Sequence, residues 1–216
     1  MTVFPHPSVL ALDLSTTRGT IAVTCAGETR FETSFTAERS HNAQVFAPLG
    51  EALDVIGQSP AVIVVGTGPG SYTGVRIAIA AAQGVALSRG WPLIGWSSLT
   101  TADEEDYQVI GDARRGHFYT TTVSQRSLGP ITILDAGSAR AQVETGGMWR
   151  SFDTKVPLDL PQVQLCQPSA SLLGQIVSAL DPSEISRLAA SPLEPLYLQE
   201  AFITVAKKAG KAVPRQ

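Results

Sequence analysis

The 216 residues include only two cysteines, three histidines and two methionines, and only 16% of them are charged. Cys25 and Cys166 lie far apart in unrelated apolar contexts. That speaks against a disulfide framework and fits reduced thiols in a cytoplasmic protein. His6, His41 and His117 share no i, i+4 spacing, and no His/Cys/carboxylate cluster has metal-ligand spacing, so no metal site is expected. No Gly-x-Ser-x-Gly elbow supplies a hydrolase nucleophile. No apolar run approaches the ~20 residues that span a bilayer. Met1 to Ser8 has no basic region followed by an apolar core, so it does not read as a signal peptide. The net charge of −3 does not offer the basic surface that dominates nucleic-acid affinity.

What is present is an apolar chain, 44% hydrophobic, punctuated by one unusual loop. Its length suits one large or two small domains. The run Val62-Ile63-Val64-Val65 leads directly into Gly66-Thr67-Gly68-Pro69-Gly70-Ser71-Tyr72-Thr73-Gly74-Val75-Arg76. An Ala-rich helix follows, and Gly90 closes it. A strand, a glycine-rich turn and a helix N-terminus together make backbone N–H groups converge on the turn. Ser71 and Thr73 can cap the helix. The loop lacks the Gly-Lys-Ser/Thr ending of a P-loop, and Pro69 breaks the dinucleotide-binding pattern. Two readings stay open: an anion site, or a tight connection with no ligand.

Before the loop comes a meander of three strands, Val9 to Asp13, Thr20 to Cys25 and Thr29 to Phe35. Ser40 is the expected N-cap of a helix from His41 to about Ile56, with Val45, Phe46, Leu49, Leu53 and Ile56 on one face. After Gly90, Pro92 to Gly95 reads as a short strand. Strands separated by helices indicate an α/β sheet, and the meander makes it mixed. Tyr107 to Asp112, the turn Ala113-Arg114-Arg115-Gly116 and the return His117 to Thr122 repeat the logic of the first hairpin. In both, an apolar strand ends in Asp, and a turn ending Arg-Gly leads to a Thr-rich return. Duplication would place Asp13 and Asp112 at matching strand ends, with a cleft between two related lobes. Coincidence among ordinary turn residues is the alternative. Near the C-terminus, Leu172, Leu173, Ile176, Val177 and Leu180 fit one face of a helix started near Ser169 and stopped by Asp181-Pro182.

Four segments together resemble the TsaB (YeaZ) family: Leu10 to Thr16, Gly68 to Arg76 with the following Ala82-Gln83-Gly84, Asp112 to Gly116, and Pro195-Leu196-Tyr197-Leu198. The resemblance runs from about Val9 to Leu198. It implies an α/β, actin/Hsp70/sugar-kinase-like (ribonuclease H-like) duplicated fold, two lobes each with a mixed sheet and flanking helices. The implied division is a tail at 1–8, an N-terminal lobe at 9–103, a C-terminal lobe at 104–205 and a basic tail at 206–216. The implied role is a non-catalytic subunit, cytoplasmic, that dimerises with a TsaD-type catalytic subunit. That complex forms N6-threonylcarbamoyladenosine at position 37 of tRNAs reading codons that start with A. A TsaE-type ATPase is a further partner, the chain alone is a homodimer, and tRNA is met only through the complex. Leu14, His117, Gln199 and the Thr145-Gly146-Gly147 turn depart from the family pattern.

The site expectations follow. Gly68, Pro69, Gly70, Ser71, Thr73, Gly74 and Arg76 form a candidate nucleotide or interface loop. Asp13, Ser15, Thr16, Asp112 and Arg114 line a degenerate cleft. No cofactor is bound tightly by this chain, ATP or ADP being placed at the interface with the partner. The dimer surface is assigned to His41, Val45, Phe46, Leu49, Ala78, Ala81, Ala82 and Val85, because small residues let a second backbone approach. A purely internal helix is the alternative. A kinase of the same fold is the second functional reading, with Asp13 and the Ser15-Thr16 turn on Mg²⁺ and phosphate and Asp112 as base. The tail with Lys207, Lys208, Lys211 and Arg215 could touch RNA.

Overall fold

The computed structural model describes residues 7–36 and 44–198. Three antiparallel strands open it: β1 (Ser8–Asp13), β2 (Arg18–Cys25) and β3 (Glu28–Thr36). Helix α1 (Phe46–Ile56) leads to β4 (Ala61–Gly66), and helix α2 (Tyr72–Arg89) leads to β5 (Leu93–Trp96). The sheet runs β3-β2-β1-β4-β5, with β4 parallel to both β1 and β5. β1 and β4 are buried on both faces, which explains their unbroken apolar composition. Leu10, Leu12, Ile63 and Val65 face α1 and α2, while Val9, Ala11, Val62 and Val64 face the other side.

The second sheet repeats the pattern. It contains β6 (Tyr107–Arg114), β7 (His117–Ser124), β8 (Ser127–Leu128) and β9 (Thr132–Asp135). Helix α3 (Ala136–Glu144), β10 (Trp149–Ser151) and β11 (Val163–Leu165) complete it. The order is β11-β10-β6-β7-β8, β9 also pairing with β7, and β10 is parallel to β6 and β11. In each lobe a hairpin is followed by a third antiparallel strand, a helix and two parallel strands on the far side of the first. The duplicated hairpins therefore reflect a duplicated fold. The lobes differ in one respect: where α2 connects β4 to β5, only a short 3₁₀ turn, Pro157–Asp159, lies between β10 and β11.

The chain then returns to its first half. Helices α4 (Ala170–Ser178) and α5 (Pro182–Ala189) pack on the face of the first sheet that α1 and α2 leave open. The sequence division placed residues 170–189 with the second lobe, but their buried Ala170, Leu173, Val177 and Ile185 find their apolar counterpart in Val9, Ala11, Val62 and Val64. Ser169 caps α4, its side chain accepting the Leu172 N–H at 3.2 Å, and Leu173 and Val177 are buried as the spacing implied. The link between lobes is tied down by Tyr107, whose hydroxyl donates to the Leu99 carbonyl at 2.5 Å. Arg126 donates to the carbonyls of Thr100, Ala102 and Asp103. Arg150, nearly buried, pairs with Glu104. His41, Ser40, His6 and the basic tail lie outside the described residues.

Candidate functional site

The glycine loop is built by close packing. Ser71 caps α2, its hydroxyl accepting the Gly74 N–H at 3.1 Å, and its own N–H donates to the Ser15 carbonyl at 2.6 Å. The Gly68 N–H donates to the Ser98 hydroxyl at 3.0 Å. Gly70, at φ 156°, lies against the Ser15 carbonyl so closely that a Cβ would strike its oxygen, and a Cβ on Gly74 would strike the Leu14 carbonyl. Three donors that an anion cradle would use are therefore spent within the protein: the Ser71 N–H on the Ser15 carbonyl, the Gly68 N–H on Ser98 and the Gly74 N–H on Ser71. Thr73 is not a cap; it stands within α2, exposed, on the face turned away from the sheet.

Asp13 is wholly buried. Its Oδ1 accepts the Ser15 N–H at 2.9 Å and the Ser15 hydroxyl at 2.6 Å, while its Oδ2 has no hydrogen-bond partner of good geometry among the described residues. Burial pushes its carboxyl above the ordinary range, and the hydroxyls of Ser15 and Ser98 pull the other way. A Cβ on Gly66 would collide with this carboxyl, so glycine at that position leaves it the room it occupies. The expectation that Asp13 lines the cleft is corrected here: it lines neither cavity between the lobes, because Ser15, Gly66 and Ser98 close around its carboxyl. Its counterpart Asp112 holds the same turn, Oδ1 accepting the Arg114 N–H at 2.6 Å, but it is exposed. The two related hairpins thus share an Asp-held turn and differ in solvent access.

Between the lobes are two adjoining cavities of about 350 and 550 Å³. Both are lined by Gly70, Ser71, Asp112, Arg114 and Asp153; Ser15 and Thr16 line the larger, and Pro69 the smaller. Asp153 accepts the Asp112 N–H at 2.8 Å. Burial and the neighbouring Asp112 charge raise its carboxyl, against the lowering effect of that hydrogen bond and of Arg114. Sequence reasoning missed Asp153, which sits in an unremarkable Phe-Asp-Thr-Lys stretch with only its polarity after β10 as a signal. Among the described residues no group of three or more His, Cys, Asp and Glu side chains is placed to hold a metal ion. None of their helices is long and apolar enough to cross a membrane.

A third feature is a groove of about 800 Å³ on the outer face, between α1 and α2. Phe46, Gly50, Leu53, Ile77, Ala81 and Gly84 are among its lining residues, and Leu49 and Val85 underlie it, nearly buried. Phe46 is 63% exposed. Ala78, Ala82 and Val45, assigned by sequence to a dimer surface, are instead completely buried against the chain's own sheet. The helix faces explain this: Ala78, Ala82 and Val85 lie on the sheet side of α2, and Ala80, Ala81 and Gly84 on the outer side. At the groove's end, Arg76 stacks over the Tyr72 ring, 4.0 Å from its centroid, and donates to the Tyr197 hydroxyl at 3.0 and 3.2 Å.

A duplicated α/β chain with a sealed acid at the end of β1, open cavities between its lobes and an apolar helix groove outside defines a class: a two-lobed protein built on two related mixed sheets. Known proteins narrow the class. Residues 35–136 match the family model described as TsaD, tRNA N6-adenosine threonylcarbamoyltransferase. The chain is 31% identical to the tRNA threonylcarbamoyladenosine biosynthesis protein TsaB of Haemophilus influenzae, over 89% of this chain and 93% of that protein. It is 32% identical to the Escherichia coli TsaB over 51% of this chain and 52% of that protein. The fold is shared with YeaZ from Pseudomonas aeruginosa, with a TM-score of 0.61 and 22% identity over 89% of this chain and all of that one. The chain belongs to the TsaB (YeaZ) family, whose members take part in making threonylcarbamoyladenosine in tRNA.

Proposed function

We propose that this chain is a non-catalytic scaffold subunit, pairing through the α1/α2 groove with a TsaD-type catalytic subunit and, when alone, with a second copy of itself. One observation carries this reading. Gly50 and Gly84 stand inside helices, both line the groove, and a Cβ on either would meet nothing within 4 Å among the described residues. Glycine costs a helix about 1 kcal/mol relative to alanine. Nothing among the described residues requires that cost, whereas close approach of another helix would. The match to the TsaD family model spans residues 35–136 and therefore includes α1 and α2. A TsaD-type partner would then present related helices, which suits an interface of near two-fold symmetry.

Several finer expectations belong to this proposal. Nucleotide, if present in the complex, meets this chain at the partner boundary, since the glycine loop spends donors on Ser15, Ser98 and its own Ser71. The TsaE-type ATPase and tRNA join through the complex. The kinase alternative needs Asp13 on a metal ion, and the burial of Asp13 weighs against it. The test is co-elution of the full chain with a purified TsaD-type subunit, followed by light scattering, for wild type and Gly84→Leu. The expected result is a complex with wild type and loss of it with the variant. Unchanged co-elution would place the partner surface elsewhere.

A further inference from the structure

Helix α2 borders both features just described, and one side chain is common to their walls. Tyr72 lines the outer groove and also the smaller cavity between the lobes. Arg76 lines the groove, covers the Tyr72 ring and donates twice to the Tyr197 hydroxyl. The rings of Tyr72 and Tyr197 lie 5.7 Å apart. Tyr197 belongs to a strap that crosses from one lobe to the other. Leu193 packs on the first lobe's core, the Leu196 N–H donates to the Thr67 carbonyl at 2.9 Å, and Leu198 packs against the second lobe's core. Pro195, Leu196, Tyr197 and Leu198 form one wall of that cavity. Tyr197 does not line the groove.

Resting on the groove as the partner surface, we propose that Arg76 couples the groove to the cleft: covering the groove tightens the Arg76–Tyr197 latch and pins the strap over the cavity. The physical reason is desolvation. A cation–π contact and a hydrogen bond to a guanidinium are weak in water and strengthen as water is excluded. Arg76, Tyr72 and Tyr197 are exposed in the single chain, and an apolar helix seated on the groove would dry the first two. The cover favours the latched state through this differential interaction, so the strap must in turn favour the cover.

Hydrogen exchange at the Leu196 amide reads strap release directly. The full chain is followed alone at rising concentration and mixed with a purified TsaD-type subunit, as wild type and as Tyr197→Phe, with light scattering on the same samples. In wild type, association should slow exchange across residues 72–88 and slow it at Leu196 by roughly tenfold, the scale separating an exposed from a desolvated cation–π contact. Tyr197→Phe keeps the ring and removes the hydroxyl. It should keep protection at 72–88, lose it at Leu196, and weaken association several-fold although residue 197 lies outside the groove. Protection at 72–88 with Leu196 unchanged overturns the coupling and leaves the groove reading standing. Absence of protection at 72–88, or of any complex, overturns the groove reading and the coupling with it. A Tyr197→Phe chain that behaves as wild type overturns the coupling alone.

Discussion

Replacing Gly84 separates the two demands that a helix residue can serve. A methyl added at this position meets no atom of the described residues within 4 Å, so Gly84→Ala removes only the entropic penalty of glycine. The gain should be about 1 kcal/mol, which for a chain of this size raises the melting temperature by roughly 2–4 °C. Gly84→Leu should fold as well as wild type, since leucine is a good helix former and its side chain enters the open groove. Association should respond in the opposite direction. Overpacking a well-fitted contact costs about 1–3 kcal/mol, and a two-fold dimer carries the substitution in both copies. Dissociation constants should therefore rise by roughly 5- to 150-fold per copy. The neighbouring Ala82→Leu is the control, because Ala82 is completely buried on the sheet side, and it should lower the melting temperature instead. The assay is circular dichroism melting at low concentration with light scattering across a dilution series. A lower melting temperature for Gly84→Ala would mean that the space is not open. Identical association of wild type and Gly84→Leu would mean that no second backbone comes near.

Phe46→Ala, at a side chain 63% exposed, should leave the monomer's melting temperature nearly unchanged and weaken self-association by roughly 1–3 kcal/mol per copy in sedimentation equilibrium. Gly70→Ala should cost roughly 1–3 kcal/mol in urea unfolding, since a Cβ there strikes the Ser15 carbonyl; unaltered stability would return the loop to the status of a ligand cradle. Asp13→Asn keeps an acceptor for Ser15 and imitates the protonated acid. Because burial raises the Asp13 carboxyl, its favourable contribution is full below the unfolded value near 3.8 and is lost as pH rises through the higher folded value. The variant should thus gain on wild type as pH rises from 4 toward neutrality in parallel thermal melts, and a constant difference across that range would refute the sealed-acid account.

The legible parts of this fold were those where one physical signal dominated. β1 and β4 are buried on both faces, so their apolar runs are unbroken, and Gly90 in the left-handed region ends α2 where the pattern stops. The duplicated hairpins were visible because the same Asp-held turn recurs. β10 and β11, at three residues each, were too short to show a period, and α3 is mostly small or polar residues with only Ala139 and Val143 buried. Alanine obscured the facing of α2. With Ala at positions 78, 80, 81 and 82, hydrophobic periodicity cannot tell core from surface. Gly50 and Gly84 both line the groove, a cue to the outer face of each helix that alanine does not give. The burial of Asp13 was not readable locally, because Gly66 and Ser98, which enclose its carboxyl, are distant in sequence, and its match to Asp112 suggested the opposite.

The two lobes have diverged in the segment that most affects chemistry. In the first, an 18-residue helix joins β4 to β5 and brings its N-terminus to the cleft. In the second, the path from β10 to β11 has no such helix, only the turn Pro157–Asp159. A ligand between the lobes would therefore face one helix N-terminus, whose loop is already bonded to Ser15, and no equivalent from the other side. The first lobe's extra helix has instead gained an outward face, and the small residues on it shape the groove. One element thus touches both the cleft and the outer groove, which is why the side chains at its first turns, Tyr72 and Arg76, rather than Asp13 or Asp112, are where we place the response to a partner's arrival.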